Sequence, residues 1–201
     1  MYKISQKIIF VGICLSLSAC FNFASQIKPS AMHNSSQIFK NGVSCIESKK
    51  TSLVTVCLQS AQPGNRLNEF YVMVKNLGTE NRHFDPLLIT ISLSSGGSFS
   101  VVPASNYMTS IQSLYSNDMS QYPLKGKDTP SWVLDERSKI EKSRATRLSR
   151  SNQLLLLNTV RPGEEIQGYV PFSADYQKKG VVMVVTVPVG QEKHEFEYLY
   201  E

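Results

Sequence analysis

Histidine, cysteine and tryptophan are scarce in this 201-residue chain, with three, four and one residue respectively. His33, His83 and His194 fall far apart, with no short spacing to other ligand residues, so a clustered metal centre is not expected. His83-Phe84-Asp85 could orient a base, but no nucleophile motif accompanies it. There is no glycine-rich phosphate loop, because Ser94-Ser95-Gly96-Gly97 reads as a turn between strands. Charge is sparse as well: 18% of residues are charged and 41% apolar, which suits neither a disordered chain nor a multi-span membrane protein. The formal charge of +5 is too mild for a nucleic-acid footprint. With no catalytic constellation, metal set or cofactor motif, the expectation is a non-enzymatic binding protein.

What is present begins at the N-terminus. Lys3 and Lys7 precede an apolar core, Ile8 to Leu17. That core is shorter than the roughly 20 residues a membrane-crossing helix needs, so it reads as an export signal. Leu17-Ser18-Ala19-Cys20 follows it directly and resembles the lipobox of bacterial lipoproteins. The resemblance implies removal of residues 1–19 and acylation of Cys20, with palmitate-type chains that hold the protein to a membrane. Phe21 rather than aspartate after the cysteine implies the outer membrane, with the domain in the cell envelope facing the periplasm. Without Lys3 and Lys7, 19 basic residues face 16 acidic ones, a net charge near +3. Cys14 leaves with the signal, which leaves Cys45 and Cys57 as a pair in an oxidising compartment, where a structural disulfide is the expectation. Both lie in strand-like runs, GVSCIES and LVTVCLQ, and a hairpin that sets them opposite each other turns at Thr51.

Residues 20–41 are rich in Ser, Asn and Gln without a sustained period and read as a flexible tether. From 42 to 201 short strands alternate with turns. Phe70, Val72 and Val74 alternate with Tyr71, Met73 and Lys75. Further strands are expected at Leu87–Leu93, Phe99–Pro103, Leu154–Val160, Ile166–Phe172, Val181–Val189 and His194–Tyr200. Arg161-Pro162-Gly163-Glu164 is a turn, with proline fixing φ and glycine supplying positive φ. VVMVVTVPV is apolar throughout, as in a strand covered on both faces. His194, Phe196, Tyr198 and Tyr200 share one face of the last strand. Eight or nine strands at this spacing predict a β-sandwich. The segments VMVKNLG, FDPLLITISL, NTVRPGEEIQGYVPF and VVMVVTVPVGQEKHEFEY resemble immunoglobulin-like accessory domains of bacterial lipoproteins. The shared element is Pro162-Gly163-Glu164, then Gly168, then Val170-Pro171-Phe172.

Residues 104–150 break this pattern and are expected to form a helical insertion. Lys125 to Arg150 predicts a helix capped by Thr129, with Pro130 in its first turn, acidic residues early and arginines late. Asn106 to Tyr122 suggests a shorter helical turn. Eight basic and four acidic residues between 125 and 150 make this the main charge concentration. Trp132, Arg137, Lys139, Lys142, Arg144, Arg147 and Arg150 are therefore the candidate partner-binding residues. The partner expected is an envelope protein, as in an accessory part of a secretion or surface assembly. The alternative is an anionic lipid, glycan or lipopolysaccharide headgroup met by the same basic segment.

Overall fold

The computed structural model describes residues 27–30, 35–40, 42–60, 67–174 and 179–200. They form a mainly β protein. The strands are β1 (Ile27–Ser30), β2 (Ser35–Lys40), β3 (Val43–Lys49), β4 (Ser52–Ser60), β5 (Leu67–Asn76), β6 (Arg82–Phe84), β7 (Thr90–Leu93) and β8 (Ser98–Val101). Two helices follow, α1 (Ala104–Ser120) and α2 (Ser131–Arg150), and then β9 (Asn158–Val160), β10 (Glu165–Ser173), β11 (Val182–Val189) and β12 (Glu192–Tyr200).

Ten strands join in one antiparallel sheet, ordered β1-β12-β11-β7-β8-β10-β5-β4-β3-β2, and β6 pairs with β9 beside it. Twisted sheets of that width curl or split into packed layers. Here the β11–β12 end folds over the β3–β4–β5 end: Tyr198 donates its hydroxyl hydrogen to Val56 O at 3.0 Å across the gap. The core between the layers is aromatic at its centre, where Phe70 stacks on Phe172 with centroids 4.4 Å apart and meets Tyr198 at 5.8 Å. Alternation sets these faces. His194, Phe196, Tyr198 and Tyr200 all point inward on β12, as their spacing predicts. On β11 Met183, Val185, Val187 and Val189 are buried, whereas the intervening residues are half-exposed rather than covered on both sides.

The cysteine hairpin follows the sequence reading. Cys45 and Cys57 are register partners on β3 and β4, joined by a 2.08 Å S–S bond with Cα atoms 4.1 Å apart. Three sequence expectations change. Two stretches of the supposed tether are strands: Ile27–Ser30 pairs with β12, and Ser35–Lys40 pairs with β3. Pairing with an existing sheet supplies the order that their polar composition does not. In Leu87–Leu93 only Thr90–Leu93 is strand, because Pro86–Leu88 turns as a short 3-10 helix capped by Asp85. In Leu154–Val160 only Asn158–Val160 is strand.

The last change explains Gly168. The segment after α2 crosses over β10, and Leu155 N donates to Tyr169 O at 2.9 Å. A Cβ at Gly168 would lie 2.6 Å from Gln153 O and 2.9 Å from Leu155 N, backbone atoms that cannot rotate away. The glycine is thus the point at which the returning chain is laid on the sheet. Leu155 is buried beneath that crossing while Leu156 and Leu157 stay exposed. The Pro162–Gly163 turn forms as expected, with Gly163 at φ +77°.

Candidate functional site

The 104–150 insertion is an antiparallel helical hairpin rather than one helix and a short turn, with α1 of 17 residues and α2 of 20. Thr129 does not cap α2. Pro130 takes the N-cap position without a side-chain bond, and the Thr129 hydroxyl serves the preceding loop, accepting from Lys125 N and donating to Gly126 O. The hairpin joins the sheet at its root. There Tyr107 and Ile111 of α1 are buried with Leu67 of β5, flanked by Val102, Leu114, Leu148 and Leu154.

A polar node completes that root. Glu69, on the face of β5 turned toward the helices, is 1% exposed. Its carboxylate takes hydrogen bonds from Tyr107 Oη and from Arg150 Nη1, with which it also forms an ion pair. Arg150 lies over the Tyr169 ring, 4.9 Å from the centroid, so the cation is matched on one side by charge and on the other by π density. Arg147, also buried, donates from Nη2 to Leu67 O at 3.1 Å. Burial, followed by the bond to Glu69, pushes the Tyr107 hydroxyl well above its ordinary range, which keeps it a donor.

The other candidate residues divide sharply. Arg137 Nη1 donates to Tyr122 O at 2.7 Å, closing the carbonyl end of α1. Arg144 lies 4.4 Å from the Tyr115 ring centroid and donates to Gln112 Oε1 at 3.3 Å, binding α2 to α1. All four arginines of the hairpin therefore serve its own geometry. Lys139 is exposed and pairs with Glu136 at 2.6 Å, and Lys142 is exposed. Trp132 stands at the distal end, 60% exposed, with its ring edge-on to Tyr122 at 6.3 Å. Leu124 and Leu134 are exposed beside it in sequence. An end that presents Trp and Leu is chemically suited to contact with a protein surface. Cys20, the proposed lipidation site, lies outside the described residues, as does His33.

No family model, curated protein or solved structure matches this chain. Among the described residues there is no cluster of three His, Cys, Asp or Glu side chains that could hold a metal, and no helix long and apolar enough to cross a membrane. His83 is exposed on β6, and the Asp85 carboxylate accepts from Leu87 N at 2.9 Å, so this aspartate caps a turn.

His194 belongs to a second polar group, one that sequence reading did not assemble. Fully buried on β12, it faces Ser48 Oγ through Nδ1 at 3.0 Å and Ser52 Oγ through Nε2 at 2.8 Å. Ser52 Oγ also donates to Glu192 Oε2 at 2.6 Å, and that carboxylate accepts from the backbone N–H groups of Thr51 and Ser52. Arg82 adds a cation 3.9 Å away. The group clasps β12 to the tip of the β3–β4 hairpin, and its serine is too enclosed to act on a substrate. Burial opposes the Glu192 charge, but the bonds from Ser52 and Thr51 and the nearby Arg82 outweigh it and hold its pKa at about 2. Burial lowers the His194 pKa, against the pull of Glu192 and with the repulsion of Lys50, and keeps the ring neutral.

Both shifts have one sign for stability. The unfolded chain takes up a proton on His194 near pH 6.5 that the folded chain refuses, and one on Glu192 near pH 4.5 that the folded chain takes only near pH 2. The folded state should therefore be most stable at neutral pH, weaken below about pH 6.5, and weaken again from about pH 4.5 downward. Allowing for solvent screening at the partly accessible carboxylate, the second step is worth about 1 to 2 kcal/mol. Melting temperatures across pH 3 to 8 should show both steps in the parent, and Glu192→Gln should lack the lower one. An unchanged lower step in that variant would remove Glu192 from the account.

Proposed function

We propose that this chain is a non-enzymatic envelope lipoprotein, anchored through lipid on Cys20, that binds another protein with the distal end of its helical hairpin. One observation carries the reading. The hairpin is fastened at its root by a buried ion pair and stiffened along its length by arginine contacts, yet its far end leaves Trp132 60% exposed. A rigid support under an exposed aromatic anchor is the economy expected of a binding element, since little ordering remains to be done on contact. The lipobox motif and the Cys45–Cys57 disulfide support an exported setting. We read the β body as immunoglobulin-like, supported by its antiparallel, layered strands and by the Pro162-Gly163-Glu164 to Phe172 motif. The headgroup alternative would rest on the exposed lysines of the segment, because its four arginines are engaged within the protein.

Cross-linking in intact cells tests the reading. The native lipoprotein should give a discrete heteromeric band, lost or reduced at least tenfold in Trp132→Ala/Leu134→Ala while the melting temperature is kept. A Cys20→Ser version should leave the membrane fraction. A band of equal intensity in the double variant, or none in the parent, would overturn the hairpin contact.

A further inference from the structure

A groove opens where the β body meets the two chain segments that lead into and out of the hairpin. Its volume is about 450 Å³. Pro86, Leu87, Val101, Leu155, Leu156 and Pro171 are among the residues that line it. Of its lining leucines, Leu87, Leu156 and Leu157 are 54%, 59% and 61% exposed. Three leucines held in water around one concavity are not the scattered apolar exposure of an ordinary surface.

The wall chemistry narrows the occupant. Among the described residues lining the groove, Asp85 has the one ionisable side chain, and its Oδ1 accepts from Leu87 N. The N–H of Val102 already donates to Pro171 O at 2.8 Å and that of Leu155 to Tyr169 O at 2.9 Å, while Pro86 and Pro171 have no N–H to offer. An acyl chain gives up no hydrogen bonds to water on entering an apolar groove, whereas the amides of a peptide or the hydroxyls of a sugar do. The volume is in the range of small-molecule sites rather than of flat protein contacts. From this we infer that the groove binds a single acyl chain of a membrane lipid, separate from any lipid on the chain itself. The inference rests on the groove alone and stands or falls independently of the hairpin contact. Because Val101, Val102 and Ala104 enter α1 and Leu154 to Leu157 leave α2, a bound chain would touch both roots of the hairpin at once.

The test uses the full chain in growing cells fed palmitate that carries a diazirine, followed by irradiation and peptide mapping. The expected result is a light-dependent adduct of phospholipid mass on peptides containing Leu87 or Leu154–Leu157. In Leu87→Asn/Leu156→Asn/Leu157→Asn the adduct should fall at least tenfold. All three positions are more than half exposed, so the fold and melting temperature should be kept. Equal labelling in the triple variant would overturn the inference, as would the absence of groove adducts in the parent. An adduct that links the groove to the Cys20 peptide would overturn the assignment to a separate lipid.

Discussion

Replacing Glu69 with leucine should destabilise the protein by about 3 to 5 kcal/mol, the range for removing one partner of a buried ion pair. For a chain of this size that is a fall of roughly 10 °C in melting temperature. The size of the effect comes from what is left behind. Arg150 would keep its charge at the sheet surface with only the Tyr169 ring as partner, and Tyr107 Oη would be left with Arg147 O at 3.3 Å as its remaining acceptor. The loss should be localised. Since the helices meet the sheet at this root, helical circular dichroism should decline in denaturant before the β signal in the variant, and together with it in the parent. Glu69→Leu combined with Arg150→Leu should recover most of the stability, because two apolar side chains need no partners. A single substitution costing less than about 1 kcal/mol would show that the apolar contacts of Tyr107 and Ile111 hold the hairpin unaided.

Removing the disulfide by Cys45→Ala/Cys57→Ala should cost about 3 kcal/mol, the loop-entropy expectation for a bond closing so short a loop. Loss of packing adds to this, because both cysteines are buried, at 0% and 2% exposure, on the face of β3 and β4 turned away from the core. Total stabilities of domains lie between about 5 and 15 kcal/mol, so the loss is a large fraction of the whole. Denaturant midpoints under oxidising and reducing conditions measure it directly: the parent should shift on reduction and the variant should not. An equal response in both would mean that the ladder of β3 and β4 holds its register without the bond.

The parts of the fold legible in the sequence were those encoded locally. The two cysteines and the polar turn between them specify a hairpin and its register. The Pro162–Gly163 turn and the alternation of His194, Phe196, Tyr198 and Tyr200 act within a few residues, and the structure reproduces them. What escaped depends on distant partners. The arginines of α2 read as a contact surface, but Arg150 finds its carboxylate 81 positions earlier and Arg147 its carbonyl 80 positions earlier. The signal was there in reverse: Glu69 is a lone acidic residue in an apolar strand, and a carboxylate in such a place demands a cation. The leucine run 154–157 looked like strand because composition cannot register that Gly168 lets another segment pass above it.

The pairing of β1 with β12 has a mechanical consequence. Ile27 is held against Tyr200, so with the lipid on Cys20, as proposed, only seven peptide steps of leash join the bilayer to the folded body. Fully drawn out, that leash spans about 25 Å. The 20 residues of α2 cover about 30 Å. With the anchor on Cys20 as proposed, the reach of the distal hairpin end is therefore set as much by the length of α2 as by those seven steps of chain.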